Sequence, residues 1–294
     1  MVFEEFITSD NNPSWWKIFV FGFIYATVGL FLAVQVFKSW ASLVMVFLTV
    51  LACVPLFYVI TVREERNVLV STGELSLLKR HRTVIILFVV LFLGMLSAFA
   101  FWYYVLPNSS SFFSLQQQTI GYMNSKISNE AITGNASVSS GKLFSLILLN
   151  NIRVLLSAIV FSLLYGTGAL FILTWNASVL GVAMGSFAKQ HFAIFGAKIS
   201  TAVGAGVLYA GTITVLRFWI HGIPEMAGYF VGGLAGGILS VAIMHHDLST
   251  KNFEKISLDV ATLLLWALGI LVFSAVVEVF ITPLIVTGAV AVIT

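Results

Sequence analysis

The sequence predicts an all-α protein: a polytopic transmembrane helical bundle of about seven spans. Three observations carry that prediction. Of the 294 residues, 59% are hydrophobic and only 9% are charged. The mean hydropathy is +1.02. The apolar residues fall in long unbroken runs, and about 20 in a row let a helix cross the hydrocarbon core. Ordinary soluble domains carry roughly 25% charge, and so few charges could not cover this much apolar surface. A soluble enzyme, a disordered chain and a disulfide-built secreted domain are thereby excluded.

The first span is Trp16–Phe37, flanked by Trp15, Trp16 and Lys38, residue types that favour the membrane interface. Glu4, Glu5 and Asp10 precede it with no Lys or Arg, so it reads as a retained helix rather than a cleaved leader. Ala41–Val62 follows so closely that the two must form a hairpin. The third span, Thr83–Leu106, is closed by Pro107. Residues 108–142 are rich in Ser, Asn, Gln and Gly and read as a polar loop with one short helix. The fourth span lies within Phe144–Trp175. Residues 176–198 are apolar but interrupted by Gln190, His191 and two lysines, which suits an interfacial or re-entrant helix. Ile199–Ile220, Pro224–Met244 and Ser257–Ile281 complete the set. The chain divides into a three-helix membrane region (1–107), an extracytoplasmic loop (108–142) and a second membrane domain (143–294).

Charge sets the expected orientation. Arg63, Arg66, Lys79, Arg80 and Arg82 make the loop after the second span the densest in basic residues. The positive-inside rule places it, and with it the N-terminus, in the cytoplasm. Residues 108–142 then lie outside, while Lys189, Lys198, Lys251 and Lys255 lie inside. A re-entrant 176–198 would invert the later half. The outer loop carries two glycosylation sequons, at Asn108 and Asn135, and a third begins at Asn176. Cys53 is the single cysteine, so no internal disulfide forms. A net charge of +3 without a basic patch gives no nucleic-acid footprint. The partners expected are the lipid bilayer and membrane proteins, a second copy of the chain among them.

Ionisable groups within the spans carry the functional inference. An Arg, Lys or Asp at a helix centre costs about 2.5–3.5 kcal/mol on translocon scales. Such groups face other helices, pair with one another, or line a wet cavity. Arg153, beside Asn151 and near the outer end of its span, either snorkels to the headgroups or pairs with a carboxylate. Arg217 reads as a snorkelling residue. The segment Ile220-His-Gly-Ile-Pro-Glu225 reads as a kinked junction, with Pro224 in the first turn of a helix. Glu225 would then sit at a helix N-terminus, which stabilises a carboxylate. Glu278 lies in an otherwise apolar helix and calls for a buried partner. Convergence of His221, Glu225 and Glu278 with Asn151, Arg153 and Asn176 in one buried polar cluster is the expectation. Gly228, Gly232, Gly233, Gly236 and Gly237 line one helix, and Gly166, Gly168, Gly181 and Gly185 another stretch; small residues at such spacing let helices touch.

These elements resemble the stage II sporulation protein M family, a group of bacterial and archaeal integral membrane proteins. The resemblance covers about residues 145–285. It rests on Asn150-Asn-Ile-Arg-Val154, on Asn176 with Leu180-Gly181, on His221-Gly-Ile-Pro-Glu225 with its glycine-rich helix, and on Glu278 with Thr282-Pro283. Asn176-Ala177 stands where a typical member has Asn-Gly. The resemblance implies a helical bundle with a role in the membrane; in endospore formers the family acts in a septal remodelling complex. The outer loop with its sequons suits an archaeal member.

Two functions compete. The first is a non-enzymatic scaffold or a transport or membrane-remodelling component, with no cofactor. The alternative is an intramembrane metal-dependent hydrolase in which His221, Glu225 and Glu278 are ligands and water is the fourth. Against the hydrolase, the sequence holds no H-E-x-x-H motif.

Overall fold

The computed structural model describes residues 15–70, 77–133, 140–165, 169–198, 203–245 and 251–285. Every regular element among them is a helix. Helix α1 (Trp15–Phe37) turns through Lys38–Trp40 into α2 (Ala41–Val70). Lys38 takes φ 34°, the left-handed conformation that so short a reversal demands. Gly29 of α1 faces the Met45 carbonyl and Thr49 of α2, so the pair is an antiparallel hairpin.

Helix α3 (Leu77–Val105) runs parallel to α1 and touches it backbone to backbone. A methyl at Gly22 would overlap the Leu91 carbonyl oxygen, and one at Gly94 the Phe19 carbonyl oxygen. Trp102 Nε1 donates to Thr27 Oγ1 at 3.0 Å. In lipid no hydrophobic force draws helices together, so dispersion at such close approach holds them. Gly22, Ala26, Gly29 and Ala33 are all buried along α1. This small-residue stripe is plain in the sequence at spacings of three and four.

The polar segment is more ordered than expected. A short helix α4 (Ser109–Phe112) leads into α5 (Ser114–Thr133). Phe113 between them is fully buried and meets Phe99 and Tyr103 edge-on, at 6.2 and 5.5 Å between ring centres. Gln116 reaches inward and donates to the Ser42 carbonyl at 2.9 Å and to Ser178 Oγ at 3.1 Å.

Two boundaries differ from expectation. The stretch 144–175 is not one span. It belongs to α6 (Ser140–Tyr165) and α7 (Ala169–Lys198), and Ser140–Ser162 and Leu170–Gln190 are each long and apolar enough to cross a membrane. The expected interfacial segment 176–198 is therefore the greater part of a membrane-length helix, and Gln190 marks the end of its apolar stretch. The second difference is α8 (Val203–His245), a single helix running through Gly222 and Pro224. Proline removes one intrahelical hydrogen bond, a loss that membrane helices tolerate when neighbours satisfy the freed carbonyl. Glu225 is thus inside a helix, and the stabilisation expected from a helix N-terminus does not apply.

The last helix, α9 (Lys251–Val276), continues through a π-turn at Val277–Ile281. Pro283 explains the turn. Its ring cannot pass the carbonyl four residues earlier, so the backbone widens. The Thr282 N–H bonds the Val277 carbonyl, and the Thr282 hydroxyl donates to the same oxygen at 3.1 Å.

Among the described residues six apolar stretches have membrane length, and the first, Trp15–Pro55, takes in α1 and the first half of α2. The protein is a multi-pass helical membrane protein, and its outward faces contact lipid. Helix α7 parallels α3, with Gly181 against Phe99 and Gly185 against Tyr103. Helix α8 parallels α6, Gly232 facing Leu155 and Gly236 facing Ile159 and Ser162; it runs antiparallel to α9, where Gly228 faces Leu271 and Ala267. Phe230 stacks on Phe88 at 5.8 Å and joins α8 to α3.

Lys189 corrects the expected topology. Its ammonium donates to Ser109 Oγ at 2.9 Å and lies 4.9 Å from the centre of the Tyr103 ring. It therefore sits at the same end of the bundle as the start of the polar loop, where the sequence placed it at the opposite end. The error follows from merging α6 and α7: one missed crossing moved Lys189 to the wrong side.

A candidate polar site between α6, α8 and α9

The innermost helix supplies the centre of the site. Within Gly222–Ile243 of α8, 83% of the stretch is buried, against 17% for Ser140–Ser162 of α6. The glycines make that burial possible. Gly228, Gly232, Gly233, Gly236 and Gly237 are all buried. A Cβ at Gly236 would stand 2.8 Å from Ser162 Cβ and 3.3 Å from the Ile159 backbone. Ser162 Oγ donates to the Gly233 carbonyl at 3.2 Å. Gly166 and Gly168 lie outside the described residues.

Glu225 and Tyr229 lie one helical turn apart on one face of α8. The Tyr229 hydroxyl donates to Glu225 Oε1 at 2.8 Å. Asn151, 2% exposed and midway along Ser140–Ser162, approaches from α6. With its amide nitrogen turned to the acceptors, Asn151 lies 3.2 Å from Glu225 Oε1, 3.2 Å from the Tyr229 hydroxyl and 3.3 Å from the Ile147 carbonyl. Glu278, in the π-turn, comes within electrostatic range of both Glu225 and Tyr229. Both carboxyl groups are half-buried.

Tyr229 was not among the residues singled out from sequence. Its signal was present: it lies four residues after Glu225, where helical side chains meet. Glu278 continues the stripe of buried Leu263, Ala267, Leu271 and Ser274 on α9, at spacings of three and four.

The other expected members fare differently. Arg153 is exposed. It stands two residues beyond Asn151, about 200° around the helix, so the two cannot share a face. Nor is it near a span end, since Ser140–Ser162 places it close to the middle. Asn176 is half-buried on α7, and its Nδ2 donates to the Ile172 carbonyl of the same helix at 2.7 Å. The side chains of His221, Arg217, His191, His245 and His246 lie outside the described residues, as does Asn135. Asn108 is exposed at the entry to α4. Among the described residues, no three His, Cys, Asp or Glu side chains gather as metal ligands.

The sequence pattern of the stage II sporulation protein M family matches residues 83–283. The chain belongs to this family. The match runs from α3 to Pro283, further than the resemblance over about 145–285, and Asn151, Glu225, Tyr229 and Glu278 all fall within it. Helices α1 and α2 lie outside it. No curated protein and no solved structure matches the chain.

Proposed function

We propose that this stage II sporulation protein M family member is a non-enzymatic membrane scaffold, and that its polar cluster clasps α6, α8 and α9 into one body. The observation that supports this most is Glu225 Oε1, which accepts from Tyr229 of its own helix and lies 3.2 Å from the Asn151 amide of α6. Glu278 joins from α9, and His221, one turn before Glu225, completes the set in this proposal. The close glycine contacts agree with a body built to stay assembled. A cavity of about 10 Å³ lies between α3, α7 and α8, lined by Val89, Phe92, Leu96, Leu180, Ile223 and Met226. It is apolar and has room for about one water. The basic loop between α2 and α3 and the N-terminus face the cytoplasm in this proposal, and the scaffold works alongside other membrane proteins or further copies of itself in membrane remodelling.

The test uses purified protein in vesicles, wild type against Glu225→Gln and Glu225→Ala. A scaffold gives a clear loss of thermal stability for Ala, a smaller one for Gln, and no proton or potassium flux in any form. Flux in the wild type that Glu225→Gln abolishes, with stability unchanged, would replace the scaffold with a transporter.

A further inference from the structure

Among the described residues, one charge within a span is left unexplained by the site. Arg153 is exposed, and it lies nine residues from Ser162 and thirteen from Ser140, the ends of its apolar stretch. The nearer end is about 13 Å away along the helix, roughly twice the reach of an extended arginine side chain. Snorkelling to the headgroups is therefore not available without distorting the bilayer. An arginine cannot escape by giving up its proton as a carboxyl or a lysine can. Among the described residues no hydrogen bond or ion pair holds it.

The face around it is apolar and open. Leu149, Leu156 and Val160 are 52%, 55% and 51% exposed. With Arg153 they recur at spacings of four, three and four, which makes one stripe along α6. Helix α6 is also the least buried of the membrane-length stretches. A stripe of this kind, with one cation at its middle, is suited to a helix that brings an anion to the same depth.

We infer that this face of α6 docks a transmembrane helix of another protein that carries a carboxylate near mid-membrane, paired with Arg153. Charge selects this occupant over a second copy. A two-fold axis along the membrane normal would set equal depths together and press Arg153 against its own equivalent. A carboxylate meets the guanidinium in a two-bonded fork, the strongest pairing open to it.

The test uses the full chain with Cys53→Ser and a donor dye on Ser140→Cys, in vesicles of neutral phosphatidylcholine. The probe is a synthetic leucine–alanine transmembrane peptide with one central Glu and an acceptor dye, compared with central Gln and central Lys peptides. Energy transfer should show the Glu peptide binding about tenfold more tightly than the Gln peptide, as one buried polar pair between membrane helices allows, with the Lys peptide weakest. Arg153→Leu should erase the preference while leaving thermal stability unchanged. Arg153→Gln carries the same expectation where the leucine variant is not recovered. Equal binding of Glu and Gln peptides by the wild type overturns the inference. So do disulfide-linked dimers in high yield from Leu156→Cys or Val160→Cys in native membranes, which would give the face to a second copy. Loss of the Glu preference on adding anionic phospholipid would assign Arg153 to lipid phosphate and overturn it as well.

Discussion

Lys189 donates a hydrogen bond to Ser109 across 2.9 Å, between residues eighty apart in sequence. The contact ties the far part of α7 to the first turn of the polar segment and places both at one end of the bundle. Tyr103 completes the arrangement, its ring 4.9 Å from the ammonium. A half-buried lysine at the end of an apolar stretch finds there both an acceptor and an aromatic face.

Cysteines placed at Ser111 and Gln190, each in a Cys53→Ser background, should react with an impermeant thiol reagent from the same side of the membrane. Both positions are exposed. A cysteine at Lys251, at the other end of the bundle, should react from the opposite side. Labelling of Gln190→Cys and Ser111→Cys from different sides would restore the topology expected from sequence.

Backbone contact between α1 and α3 leaves no room for a methyl group at Gly22 or Gly94. Gly94→Ala should lower stability by about 1–3 kcal/mol, the usual cost of forcing extra atoms into a packed interface. Gly121→Ala is the control, since nothing lies within 4 Å of the added carbon. Thermal unfolding in detergent reads both; equal melting temperatures for Gly94→Ala and wild type would mean the helices do not touch there.

Asn151 and Tyr229 serve the same carboxyl oxygen. Asn151→Leu and Tyr229→Phe should each cost about 0.5–1.5 kcal/mol, the net worth of one hydrogen bond, because the other donor still serves the oxygen. The double variant should depart from the sum by at least about 0.5 kcal/mol, the signature of shared contacts. Strict additivity in a double-mutant cycle would dissolve the cluster into independent residues.

Thr282 bonds the carbonyl that the π-turn frees. Thr282→Val should destabilise by about 0.5–1.5 kcal/mol, the net worth of one hydrogen bond. Pro283→Ala should let the turn close to regular α-helix, which rotates the residues beyond Ile281 relative to α8. Cross-linking of a cysteine at Leu284 to a panel of neighbouring positions would register the rotation as a changed pattern; an unchanged pattern would mean that Pro283 does not cause the turn.

Much of the site could be read from the chain. Glu225, Glu278 and Asn151 stood out because polar groups inside apolar runs are costly and few. Tyr229 did not, since a tyrosine in a membrane helix carries no comparable penalty and its role depends on what lies one turn away. Arg153 was misassigned for the opposite reason. Its charge marked it as important, but the side of α6 on which it lies follows from which face of that helix meets α8.

The sequence by itself determined the membrane class, the helical architecture, the hairpin of α1 and α2, and the family. Each follows from local quantities: run length, charge density, or a short motif. Tertiary structure alone decided where α6 ends and α7 begins, that α8 passes unbroken through Pro224, and that Lys189 shares an end with Ser109. Length and composition can say that an apolar stretch is able to cross a membrane. Whether it divides into two helices, or carries a proline through one, depends on the neighbouring helices that satisfy the backbone, and those neighbours are distant in sequence.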